Sequence, residues 1–241
     1  MKNIIPTEMT PYLASKNQKF SEVGVLVDLV ISKQSPSLLI CGQSGIGKSR
    51  LVKDRLVSAN LLEGFDYRVV KGHGSALGLY SLLYECRSMC LILDDADSLF
   101  QDPKGVNVLK AALDSYDQRR ISWQSPSAKQ MDVPLSFDFT GSVIFISNLG
   151  VNEMDPAVLS RSLHCNLELT PDEILATMYD VLPVIDDKVS LPIREGVLKF
   201  IAHNRQQLFE TGKFNLRTLI NGIRIRSSGE GNWRGMILKY A

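Results

Sequence analysis

The sequence predicts an α/β chain in which a five-stranded parallel sheet lies between layers of helices and is followed by a small all-helical region. Three observations lead there. Short, continuously apolar runs such as Leu91-Ile92-Leu93 and Val143-Ile144-Phe145-Ile146 fit strands buried on both faces. Segments of helical spacing separate these runs, which is the alternation of a parallel sheet. After Thr170-Pro171 the strand pattern stops and only helical spacing continues.

Taken in order, residues 1–19 are polar and broken by Pro6 and Pro11, so a flexible N-terminal arm is expected there. From Phe20, the residues Val23, Leu26, Val27, Val30 and Ile31 recur at helical spacing until Ser35-Pro36-Ser37 ends the helix. Strands are expected at 38–41, 67–70, 89–93, 143–147 and 163–169. Between the third and fourth, residues 119–140 place Ile121, Trp123, Val133, Leu135 and Phe137 in near alternation, which predicts a β-hairpin insertion. Residues 20–170 then form the core domain. Three later stretches carry helical spacing: Ile174, Leu175 and Met178; Val197, Leu198, Ile201 and Ala202; and Leu216, Leu219, Ile220 and Ile223. They predict a helical lid domain over 171–241.

Composition narrows the class. Hydrophobic residues at 44% and charged residues at 22% match ordinary globular proteins, which argues against wholesale disorder and against a membrane-embedded body. The apolar runs are far shorter than a spanning helix needs, and Met1 opens no signal-peptide pattern, so a cytoplasmic protein is expected, in a bacterium or a phage-infected host. A formal charge of +1 argues against a surface wholly given to nucleic acid. Cys41, Cys86, Cys90 and Cys165 sit in or beside apolar stretches without zinc-site spacing, and read as small core residues.

The chemistry starts at Gly42-Gln43-Ser44-Gly45-Ile46-Gly47-Lys48-Ser49, which fits G-x-x-x-x-G-K-[ST] directly after a strand and before a helix opening at Arg50. Glycines let backbone N–H groups close around phosphates, Lys48 reaches the β- and γ-phosphates, and the Ser49 hydroxyl is placed to ligate Mg²⁺. ATP with Mg²⁺ is the expected ligand pair, with Gly42 through Ser49 and the adjoining Arg50 as the candidate nucleotide contacts. The run Leu91-Ile92-Leu93-Asp94-Asp95 ends a strand in two carboxylates, the pattern of a Walker B site. Asp94 is the candidate metal carboxylate and Asp95 the candidate base that polarises the attacking water. A solvated helix start, with one Asp as N-cap, is the competing reading.

Together these motifs resemble the AAA+ ATPase family over about residues 20–230, with a phage or mobile-element member in view. The resemblance implies further roles. Ile146-Ser147-Asn148 is similar to sensor 1, so Asn148 is expected to position water, although a strand-end turn is the alternative. Asp155 to Ser162 resembles the stretch that carries an arginine finger, making Arg161 the candidate that reaches a neighbour's ATP. Asn215-Leu216-Arg217 is similar to sensor 2, with Arg217 the candidate and Arg224 and Arg226 close enough to be confused with it. The family pattern implies a homo-oligomer, often a hexamer, with ATP between subunits. Most relatives carry Glu where Asp95 stands.

The substrate is less legible. Lys71 to Gly78, the loop after the second strand, lacks the aromatic-apolar-Gly signature of protein-threading unfoldases, and His73 reads as a turn residue or a substrate contact. Tyr80 and Tyr84 share a helix face. Arg119, Arg120, Trp123 and Lys129 mix cations with an aromatic, a combination that suits a nucleic-acid strand or a subunit contact. Beyond Phe200, seven cations from Arg205 to Lys239 face only Glu210 and Glu230. A helicase loader or initiator acting on DNA, with a protein partner such as a helicase, is the leading expectation; a protein remodeller without nucleic acid is the alternative.

Overall fold

The computed structural model describes residues 5–72, 74–114, 116, 118–123 and 133–241. His73 and Lys129, both read above as candidate contacts, lie outside the described residues. Five strands, β1 (Ser37–Gly42), β2 (Tyr67–Lys71), β3 (Cys90–Asp94), β6 (Ser142–Ile146) and β7 (Leu163–Leu167), pair in parallel in the order β2-β3-β6-β1-β7. Two short strands, β4 (Arg120–Ser122) and β5 (Ser136–Asp138), form a separate antiparallel pair within the stretch read as an insertion.

The chain divides into two compact units. One comprises Ser21–Gln43 and Lys48–Leu167, and the other Met1–Phe20, Ser44–Gly47 and Glu168–Ala241. In the first, every residue of the three central strands β1, β3 and β6 is buried, which is why those runs are apolar without alternation. Leu39, Cys41, Leu91, Leu93, Val143 and Phe145 form one core with α3 (Ala76–Glu85) and α4 (Pro103–Ala112). Ile92 and Ile146, from the alternate positions, line a cleft with Val52 and Leu56 of α2 (Lys48–Ser58).

The antiparallel pair is part of that core. Trp123 and Phe137 lie 5.8 and 5.2 Å from the ring of Tyr80, and Tyr84 meets Phe137 at 5.3 Å. The helix face carrying both tyrosines therefore exists to seat the strand pair. Arg119 is drawn in with it, donating to the carbonyls of Ala112 and Gly141 at 3.0 and 2.6 Å and covering the Phe139 ring. Burial holds its guanidinium below the usual arginine range. Arg119 and Trp123 are thus half-buried against the core, with Trp123 also lining a cleft beside Lys104, while Arg120 is exposed and bonds Ser136.

The second unit corrects the expectation of an arm over 1–19 for residues 5–19, the part that is described. A 3₁₀ turn at Thr7–Met9 leads into α1 (Thr10–Ile31), whose first half, to Phe20, belongs to this unit. Pro11 falls in the first turn of the helix, where no N–H is required, so it does not act as a breaker. Met9 is buried, and Ser15 and Lys19 both donate to the carboxylate of Glu173 on α6 (Pro171–Val181), at 2.7 and 2.8 Å. Glu173 also accepts from the Thr170 N–H in a capping box. Burial pushes its carboxyl up, but Lys19, Thr170 and Ser15 outweigh it and hold the net value below the ordinary one. The remaining helices are α7 (Leu191–His203), α8 (Arg205–Glu210), α9 (Leu216–Ser227) and α10 (Trp233–Tyr240), after the short α5 (Pro156–Leu159) of the first unit. Among the described residues no helix is long and apolar enough to cross a membrane.

Candidate functional site

The site candidates of the sheet unit meet at the C-terminal ends of β1, β3 and β6, the edge where parallel sheets place their ligands. Gly42 ends β1 at φ 139°, and a side chain there would run into the Leu167 carbonyl on the neighbouring β7. Only glycine lets the chain leave the strand here. Gly45 and Gly47, at φ 72° and 105°, keep the loop in the same left-handed region. Ile46 is buried at 2% exposure, an apolar anchor inside an otherwise polar loop.

Lys48 is 5% exposed and still fully partnered. Its ammonium donates to the carbonyls of Gly42 and Gln43 at 2.6 and 2.8 Å and to Asn148 Oδ1 at 2.9 Å. Burial pulls it below the ordinary lysine value, against the opposing pull of Asp95, Cys41, Asp94 and Asp97. Beside it, the Ser49 hydroxyl donates to Asp94 Oδ1 at 3.0 Å, and Lys71 of β2 holds Asp94 Oδ2 at 3.0 Å. Asp94 is itself buried at the end of β3. These are hard oxygen donors next to an ammonium, a set that suits a hydrated Mg²⁺ and a polyphosphate.

Asp95 is exposed and adopts φ 58°. Its N–H donates to the Ile146 carbonyl at 3.0 Å, and its Oδ1 accepts from Asn148 Nδ2 at 2.7 Å. Asn148 thus ties the candidate base to the loop lysine through one amide, a link that spacing in the sequence gives no sign of. Strained backbone of this kind concentrates at sites whose surroundings hold it in place.

Other candidates stand differently. Arg50 is turned toward Asp54, one helical turn on, while still lining the cleft beside Ser49. Arg161 follows α5, donates to the Ala157 carbonyl at 2.9 Å, and keeps a buried Nε without a partner. No contact joins it to the other candidates among the described residues. In the helical unit, Leu216 N–H donates to the Gly45 carbonyl at 3.1 Å and Asn215 caps α9. Arg217 Nη1 lies 3.5 Å from Ser44 Oγ, a long contact at the head of the same helix. Arg217 and not Arg224 or Arg226 meets the loop: Arg224 pairs with Asp186, and Arg226 lies over Trp233 and donates to the Ile193 carbonyl. Lys71, expected to open the loop after the second strand, is instead the last residue of β2 and joins the site, a role its spacing gives no sign of.

The basic bias of the C-terminal helices is partly internal. Arg205 pairs with Asp172, and Lys213 donates to the carbonyls of Leu238 and Lys239 at the end of α10. The thiols of Cys41, Cys90 and Cys165 are pushed up to about 11 by burial, which leaves them inert at neutral pH.

No protein-family model matches the sequence. An uncharacterised 36.7 kDa protein from the nrdC-mobD intergenic region of Enterobacteria phage T4 is 31% identical over 181 residues, which cover 69% of this chain and 55% of that protein. The chain therefore spans about half the length of this curated relative. Among solved structures, three variants of Thermotoga maritima RuvB superpose with TM-scores of 0.57, 0.55 and 0.55 at 12% identity. They cover 94%, 98% and 93% of this chain, which in turn covers 69%, 69% and 65% of theirs. The chain is thus a distant relative of a phage protein and shares the P-loop α/β fold of the RuvB structures, a five-stranded parallel sheet followed by helices.

Proposed function

We propose that this chain is an AAA+ ATPase that binds ATP with Mg²⁺, hydrolyses it in an oligomer, and couples the cycle to remodelling or loading in DNA recombination or replication. The observation that carries the reading is the chain of contacts from Ser49 and Asp94, through Lys48 and Asn148, to Asp95. In it Lys48 supplies fixed positive charge for a phosphoryl group, needing only to exchange carbonyl partners for phosphate oxygens. Ser49 and Asp94 would hold the metal, which would supply charge screening for the phosphates. Asp95 accepts a proton from the attacking water, and Asn148 sets the direction of that carboxylate. Arg217, beside Ser44, reports nucleotide occupancy to α9. Arg161 serves a neighbouring subunit once its bond to Ala157 is exchanged.

The RuvB-like fold supports a DNA-recombination setting. The alternative reading is a protein-complex remodeller without nucleic acid, since Arg119 spends its guanidinium on the carbonyls of Ala112 and Gly141. One experiment separates them. ATP turnover measured with single- and double-stranded DNA at low salt rises under the first reading, and the stimulation fades as salt increases. Turnover indifferent to every nucleic acid supports the second.

A further inference from the structure

Asp94 is almost wholly enclosed, and a buried carboxylate is costly unless it is paired and hydrogen-bonded. That charge comes from Lys71. The two residues are direct register partners at the ends of β2 and β3, so their side chains leave the same face of the sheet. The chain turns directly after Lys71, at Gly72 with φ 93°, and the Gly72 N–H donates to the Asp94 carbonyl, which fixes the lysine's starting point. With Ser49 on Oδ1 and Lys71 on Oδ2, both carboxylate oxygens are engaged by the protein itself. Lys48 is taken up by Gly42, Gln43 and Asn148.

The two partners are unequal. The Asp94 side chain is 4% exposed and the Lys71 side chain 68%. A flexible, strongly hydrated ammonium that is itself mostly in solvent can swing off the carboxylate and be rehydrated, so a divalent cation can take its place. A cleft of about 330 Å³, lined by Ser49, Lys71, Asp94, Tyr67 and Ile92, gives a hydrated cation room beside the pair. We infer that Lys71 is the resident countercharge of Asp94 and competes with the divalent cation for it, so that it sets how much Mg²⁺ the site requires. The inference rests on the nucleotide reading above and adds to it a residue outside the loop and the strand-end carboxylates.

The test compares wild type with Lys71→Met, which keeps the stem and removes the charge, and Lys71→Arg, which keeps the charge. Mn²⁺ uptake, followed by its paramagnetic resonance signal in the presence of ADP, gives the half-saturating concentration. Thermal melts in EDTA give a readout that needs neither metal nor turnover. Loss of the competing charge lowers half-saturating Mn²⁺ about tenfold in Lys71→Met, equal to about 1.4 kcal/mol. The same variant melts about 2–4 °C below wild type in EDTA, and Mn²⁺ with ADP closes the gap. Lys71→Arg stays near wild type in both. Unchanged half-saturation, or a higher one, in Lys71→Met overturns the inference while leaving the nucleotide reading standing. Absence of Mn²⁺ uptake by wild type, with and without ADP, removes both together.

Discussion

Replacing Asn148 by Ala removes two bonds to charged groups in one step. Its Oδ1 accepts from Lys48 at 2.9 Å and its Nδ2 donates to Asp95 at 2.7 Å. Bonds of this kind contribute about 1.5–3 kcal/mol when shielded, and less where one partner is exposed, as Asp95 is. The two losses differ in consequence. Lys48 keeps its carbonyl partners at 2.6 and 2.8 Å, so ATP affinity changes by no more than about threefold, or about 0.7 kcal/mol. Asp95 loses the side-chain bond that orients it. Positioned proton transfer contributes about 10²–10⁴-fold, and partial loss of that positioning lowers kcat about tenfold to a hundredfold. Asn148→Asp separates the two arms, because it retains an acceptor for Lys48 and sets a second carboxylate against Asp95. It loses at least as much turnover as the Ala variant. Phosphate release at saturating Mg²⁺ and ATP, with calorimetry of a non-hydrolysable analogue, reads both parameters. Turnover within twofold of wild type in both variants would refute the assignment of Asn148 as the residue that aims Asp95.

Further tests address the scaffold around the site. Gly42→Ala combines a strained φ with a collision against the Leu167 carbonyl, and is expected to cost about 4 kcal/mol or more, visible as aggregation or a sharply lowered melting temperature. Glu173→Gln removes the charge that Lys19, Ser15 and Thr170 share, costing about 1.5–3 kcal/mol at pH 7 in urea melts. Its folded carboxyl titrates below the ordinary value, so the wild-type contribution is complete above about pH 4.3 and is lost as pH falls through the lower folded value. The Gln variant shows a flatter stability profile across that range; an equally steep one contradicts the pairing. Arg161→Ala leaves nucleotide affinity and the melting temperature near wild type, and lowers turnover only at concentrations where subunits assemble. Equal turnover at every concentration removes the arginine-finger role.

The sheet was readable from the sequence because β1, β3 and β6 are buried on both faces and carry unbroken apolar runs. The loop was readable because phosphate chemistry demands glycines and a lysine at fixed spacing, and Gly42, Gly47 and Lys48 meet that demand. The start of α1 was not. A proline is read as a breaker unless its place in the helix is known, and Pro11 lies in the first turn. The core partners of Trp123 and Arg119 were not legible either: a cation beside an aromatic looks the same whether it faces a ligand or a core, and the contacts to Tyr80, Ala112 and Gly141 depend on the fold. The contacts Lys71–Asp94 and Asn148–Lys48 depend on strand order, which periodicity along one chain does not specify.

Nucleotide chemistry at Lys48 is tested directly. Phosphate release from ATP by the wild-type chain, measured with and without Mg²⁺ beside Lys48→Ala, is expected to require the metal and to vanish in the variant together with ATP binding. Calorimetry showing no Mg²⁺-dependent ATP binding by the wild type at millimolar ATP, or equal binding by Lys48→Ala, would contradict it.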